Sequence, residues 1–297
     1  MENSDQTGLH FLKLLQSTSQ FDNQDLGIGL LSLDDFIQEL SIHPDAAAYA
    51  TELGEESQQQ LLALSEGSPA EYFVSMLTER LVVAARLAGD QPLLIRMTGA
   101  DSHQRSQLLG AELEEYEVNP LLGLRGVSRY ADEGHRKSFE LECEAIKRAR
   151  NAEGMTNIEL VIPFVRTFSD AATAIDLLAE QGLCRGAQGL NVHLMAELPA
   201  NALLTDKFLQ YFDGLVVDVD QLAQFTLGLD QTHPSLEYLH DAQNEAVLSL
   251  VAQALAATSA VNKPCRVVSS YIHQSPNLQQ WLQDHGVTEV ITQHKTG

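Results

Sequence analysis

Ile158-Glu159-Leu160-Val161-Ile162-Pro163-Phe164 is an apolar run closed by a proline; Asp170–Gln181 follows as an amphipathic helix, and Leu190–Leu198 as a second apolar run. Near-continuous apolar strands are buried on both faces, and a helix between two of them makes them parallel. The same unit recurs outward in both directions. Further apolar runs stand at Leu9–Leu15, Gly29–Leu33, Pro92–Met97, Leu121–Gly126, Gly214–Val219, Arg266–Tyr271 and Glu289–Gln293. Helices are expected at Ala70–Leu87, Glu133–Arg150, Ala200–Phe212, Leu236–Ala257 and Pro276–His285. In Glu133–Arg150 the residues Phe139, Cys143 and Ile146 form one apolar stripe, acids lead, and Lys147, Arg148 and Arg150 complement the helix dipole at its end. Eight strand–helix units close a (β/α)8 barrel of the TIM type, so the fold class is α/β. Nine strand candidates are one too many, and Leu9–Leu15, which also reads as a helix, is the weakest.

The domain expected is a single barrel over 1–297. Residues 35–90 are long for one crossover and read as an inserted helical layer near the N-terminus. Residues 1–25 are expected to be loosely ordered. Hydrophobic residues make up 44% of the chain, enough for a large core. No apolar run reaches the roughly 18–20 residues of a membrane span. A formal charge of -23 repels nucleic-acid phosphates and anionic membranes, so neither is an expected partner. A small anion is still admissible, because a pocket needs only two or three local arginines. The acidic, polar start is unlike a secretory signal, and the three cysteines, Cys143, Cys184 and Cys265, are widely spaced with no zinc pattern. They read as reduced thiols in a cytoplasmic protein.

A barrel of this kind carries its site at the C-terminal ends of the strands. Polar residues at those ends are Arg96, Arg125, Glu197, Asp218, Asp220, Ser269, Ser270 and Tyr271. Arg96 and Arg125, from adjacent expected strands, suit a bidentate clamp for phosphate or carboxylate. Glu197 and Asp220 supply the hard oxygen ligands that Mg²⁺ takes. The other reading of these charges is an ion-pair network at the strand ends.

Three stretches carry a family resemblance. Asn119-Pro120-Leu121-Leu122-Gly123-Leu124-Arg125-Gly126-Val127-Ser128-Arg129-Tyr130 is the first, and Phe139–Arg148 with Met155–Thr167 the second. Met195–Leu204, with Tyr211–Gly214 and Leu227–Asp230, is the third. In order and spacing the chain resembles, from about Gly27 onward, the C-terminal phosphoenolpyruvate/pyruvate-binding barrel of phosphoenolpyruvate synthase and the PEP-utilising enzymes. The resemblance implies Mg²⁺ and a small anionic ligand such as phosphoenolpyruvate, pyruvate or oxalate. It also implies a homodimer, and any phosphoryl group would come from a separate phosphoryl-carrier protein. It covers only the barrel, with no ATP site.

Carried over position by position, Arg96 and Arg125 resemble the family's phosphate-binding arginines, and Glu197 its metal-binding glutamate. Elsewhere the chain departs. Ser32 stands where the family has an arginine. Asp220 falls at a substrate-binding asparagine and Gln221 at a metal-binding aspartate, so Asp220 is assigned both to substrate and to metal. Val268 takes the position of the cysteine that protonates the enolate; Cys265 lies three residues earlier and reads as a buried small hydrophobe. Valine carries no transferable proton, and a placed acid is typically worth ~10²–10⁴-fold. Ser270, Tyr271 and His273 are the nearby groups able to replace it. The expectation is a degenerate, small-anion-binding or regulatory barrel. The alternative is a working Mg-dependent keto-acid enzyme or the pyruvate half of a split phosphotransferase.

Overall fold

The computed structural model describes residues 8–22 and 26–293. Among these residues, eight parallel strands close a barrel in sequence order: β1 His10–Leu15, β2 Ile28–Ser32, β3 Leu93–Arg96, β4 Ile158–Ile162, β5 Val192–Ala196, β6 Gly214–Asp218, β7 Cys265–Val268 and β8 Glu289–Thr292. Closure is made by β1 on β8, with Phe11 opposite Val290 and Leu12 opposite Ile291. The barrel interior is apolar. Leu14, Leu30, Leu94, Val161, Met195, Val216, Val268 and Ile291 form one buried cluster, one residue from each strand. Each such side chain contributes about 1.5–3 kcal/mol through burial. The alternate strand positions, such as Leu31, Ile95, Leu160 and Val217, pack outward into the larger core beneath the helices.

The weakest strand candidate is real, and a stronger-looking one is not. β1 buries Phe11, Leu14 and Leu15 and pairs on both sides. Leu121–Gly126 is no strand. Pro120 starts a short 3-10 turn that ends at Leu122, and Gly126 adopts φ 59, so the run cannot extend into a ladder. β3 pairs directly with β4, Leu93 opposite Ile158, and residues 97–157 make one long excursion between them. Within 35–90 the chain is mostly helical, at Leu33–Leu40, Pro44–Ala48, Glu55–Leu64 and Pro69–Ala88. Residues 1–7 and 23–25, part of the segment expected to be loose, lie outside the described residues.

Two expected helices depart most from their patterns. Leu236–Ala257 becomes Glu245–Ala260, because the Asn244 side chain caps Ala246 N and fixes the start there. Ala200–Phe212 divides at Leu204 into Pro199–Leu203 and Thr205–Phe208. At the N-terminal end of the barrel, charges pair directly. Glu159 accepts from Asn191 at 2.8 Å and meets His193 at 2.7 Å, and Arg266 lies 3.7 Å from Glu289. The other end is open.

Candidate functional site

A cavity of about 620 Å³ occupies the C-terminal mouth of the barrel. Its floor is the top of the barrel interior: Leu14, Leu30, Met195 and Val268. Its wall is charged, with Asp34, Asp35, Arg96, Arg125, Asp218 and Asp220, and Ser270 and Tyr271 complete one side.

Arg96, the last residue of β3, is bound between two carboxylates. Nη1 donates to Asp34 at 2.7 Å and Nη2 to Glu197 at 2.7 Å. The second oxygen of Glu197 accepts from Phe164 N at 2.9 Å, and Glu197 is 1% exposed. Asp34 also accepts from Gly99 N and Ala100 N. Burial alone would lower the guanidinium's pKa; Glu197 and Asp34 reverse that and hold it above its ordinary value. Asp34 is placed by Ser32, whose hydroxyl accepts from Asp35 N at 3.4 Å and caps the helix Leu33–Leu40.

Arg125 reaches the same cavity from the 97–157 excursion and not from a strand end. Its Nε donates to Gly99 O at 2.7 Å, its Nη1 to Leu121 O at 3.2 Å, and its guanidinium stacks 4.2 Å from the Phe164 ring. Arg166 lies 4.5 Å from the same ring and donates to Gly123 O and Ser128 Oγ, so it pins the loop that carries Arg125. Phe164 has φ 53, a left-handed conformation costly for an aromatic residue. Gly126, at φ 59, passes so close that a Cβ there would stand 2.6 Å from Phe164 Cβ. Backbone strain is thus concentrated where Phe164 meets Glu197 and Arg125.

Across the mouth, Asp218 ends β6 and caps the next helix, accepting from Gln221 N at 3.0 Å. Asp220 accepts from Ser269 Oγ at 3.2 Å and Ser270 N at 2.6 Å. Burial, then the neighbouring Asp220 charge, raises Asp218 to about 8, and burial raises Asp220. Asp35 is raised by burial and by Asp34. Six carboxylates, Asp34, Asp35, Asp101, Glu197, Asp218 and Asp220, therefore stand around two guanidiniums, Asp101 lying 3.8 Å from Arg125 Nη1.

Residues 23–294 match the family described as PEP-utilising enzyme, PEP-binding domain. This chain belongs to that family. It is similar to phosphoenolpyruvate synthase of Pseudomonas aeruginosa, 37% identical over 270 residues, and to that of Escherichia coli, 35% identical over 265. These alignments cover 89% and 88% of the chain but 34% of each relative, so the chain spans about a third of their length. Two solved structures share the barrel at 14% identity. One is a malate synthase of Haloferax volcanii in a magnesium/glyoxylate complex (TM-score 0.52, covering 99% of this chain and 73% of that one). The other is an HpcH/HpaI aldolase/citrate lyase family protein of Burkholderia cenocepacia (TM-score 0.51, 96% and 88%). They bear on fold alone.

Against the PEP-utilising pattern, the sequence-derived residues divide. Arg96, Arg125, Asp220 and Gln221 line the cavity, and Val268 forms part of its floor. Glu197 sits beneath the wall, bonded to Arg96. Cys265 begins β7, at the opposite end of the strand, and burial pushes its thiol up to about 12. His273 is exposed, packs its ring against Phe11 and does not line the cavity. Asp34 and Glu142 were not singled out from sequence. Asp34 had a signal, since it lies two residues past a strand end. Glu142 had none, being one acid among several on its helix.

The oxygen donors suit Mg²⁺, a hard cation. Asp218 and Asp220 are the acids a cation would relieve most, and they would hold it with substrate and water. Glu197 would join only if Arg96 released it, since both its oxygens already accept. Among the described residues, His43, Asp45 and Glu114 place ligand atoms within 4.8 Å of one another, but Arg105 and Arg129 already pair with these acids. That cluster is an ion-pair network with no place for a metal.

Proposed function

We propose that this chain is a catalytically silent PEP-utilising barrel that binds a small keto-acid or phosphorylated anion through Mg²⁺ and acts as a binding or regulatory protein. One observation carries the reading: Val268 stands in the cavity floor, where the family resemblance expects the proton donor. The pocket keeps a charged wall over an apolar floor, an arrangement that orients a ligand over a floor with no transferable proton. Arg125 would take the anionic end. Asp218 and Asp220 would hold the metal, which when bound polarises a keto oxygen. Arg96, engaged by Asp34 and Glu197, fixes the wall.

Enolisation of pyruvate gives the test. In D₂O with Mg²⁺, the methyl protons should exchange no faster than in buffer alone, and Val268→Cys should accelerate exchange. Exchange above the buffer rate in the wild type, lost in Tyr271→Phe, would instead support an active keto-acid enzyme. That second reading rests on the Ser270 and Tyr271 side chains in the cavity wall. A homodimer, and a phosphohistidine donor protein for any phosphoryl step, come to this chain from the resemblance alone. Mass measurement in solution tests the first.

A further inference from the structure

Glu142, on the helix Arg136–Lys147, is 2% exposed. One oxygen accepts from Thr98 Oγ1 at 2.7 Å; the other, Oε2, is buried without a partner among the described residues. The basic groups near it are engaged elsewhere. Arg105 pairs with Glu114 and donates to Ala100 O, Arg129 pairs with Asp45 and Glu114, and His135 pairs with Asp45. Asp34 faces Glu142 from the first helix, the Tyr130 hydroxyl donates to Thr98 O, and Cys143 is its neighbour along the helix. A cavity of about 20 Å³ lined by Glu142, Asp34 and Arg105 has room for one water. Arg105 Nη2, also buried without a partner among the described residues, is a second group such a water would serve. An ionised Glu142 would be a buried negative charge facing the part-buried Asp34, and burial of an unpaired charge is strongly opposed. Burial and Asp34 raise its pKa to about 8, against the opposing Thr98 hydrogen bond.

The Thr98 that Glu142 holds begins the turn that builds the pocket. Gly99 N and Ala100 N hold Asp34, and Gly99 O holds Arg125. We propose that Glu142 is a positioning residue, which as a neutral acid fixes the 98–101 turn and through it Asp34 and Arg125, so that its proton couples the pocket's geometry to pH. This stands on the pocket's architecture and is independent of which ligand binds there and whether it is turned over.

Infrared spectroscopy of the whole protein reads the carboxyl directly. A protonated-acid carbonyl band that Glu142→Gln abolishes should be present at neutral pH and fade with a midpoint near 8. The backbone amides of Gly99 and Ala100 should shift with the same midpoint by NMR and lose that step in Glu142→Gln. Because the folded pKa lies above the unfolded value, the wild type should lose stability relative to Glu142→Gln as pH rises from about 4.5 to 8, with the difference constant above that. Absence of the band at neutral pH overturns the proposal, as does an unchanged amide titration in Glu142→Gln. Should that variant not fold, the wild-type spectra still decide, because carboxyl and amide midpoints that differ contradict the coupling.

Discussion

Two buried charge clusters lie close together and behave oppositely. In the excursion cluster, Asp45 and Glu114 face Arg105 and Arg129, with His43, His135 and Ser138 adding hydrogen bonds. Burial raises these acids, but the bonds and positive charges outweigh it, and both end below their ordinary pKa. In the barrel mouth, Asp35, Asp218 and Asp220 end above theirs. Burial is common to both places; the supply of cations is not. A cluster that already holds its counter-charges is architecture, whereas one that lacks them is where an external cation is favoured.

The comparison breaks most readily at the balanced cluster. Arg129→Met leaves Asp45 and Glu114 short of a cation and should cost about 3–5 kcal/mol in denaturant unfolding. A loss below about 1 kcal/mol would mean that this network is not the architecture it is taken for.

Asp218→Asn should act the other way. Removing one of the crowded acids should stabilise the metal-free protein by at least the ~1.4 kcal/mol that one pKa unit represents. It should also shrink the rise in Tm on adding Mg²⁺. Destabilisation would show that Asp218 is already compensated within the chain.

The same contrast fixes the pH profile. Acids with raised pKa lose their stabilising contribution as pH climbs above the ordinary carboxylate range, and acids with lowered pKa lose theirs as pH falls below it. Tm should therefore be higher near pH 5 than at pH 8, fall steeply in stronger acid, and recover at pH 8 with Mg²⁺. A Tm that is flat from pH 5 to 8 would remove the difference between the clusters.

The smallest effect belongs to the cap beside the mouth. Ser32→Ala should cost about 0.5–2 kcal/mol through loss of the bond to Asp35 N. It should also weaken ligand binding, because Asp34 follows two residues later.

Much of this was legible in the residues. Apolar strand runs alternating with helices gave the barrel, and the strand-end rule brought Arg96, Asp218, Asp220 and Ser270 to one cavity. Leu121–Gly126 misled because a short apolar run bracketed by proline and glycine has a strand's length and none of its partners. Arg125 reached the site even so, carried by a loop that Arg166 and Phe164 hold. What the sequence could not display was pairing. Arg96 and Glu197 are 101 positions apart, and nothing in either neighbourhood says that they bind each other. Asp34 lies two residues past a strand end, yet nothing in its neighbourhood says that Arg96 binds it.

The central claim, that the unbalanced mouth takes a metal and through it an anion, is tested most directly by calorimetric titration of oxalate with and without Mg²⁺, beside Arg125→Ala. Oxalate should bind only with Mg²⁺ present, and Arg125→Ala should abolish that binding. Oxalate binding of equal strength without the metal, or none at millimolar oxalate with it, would rule out a metal-dependent anion site in the mouth.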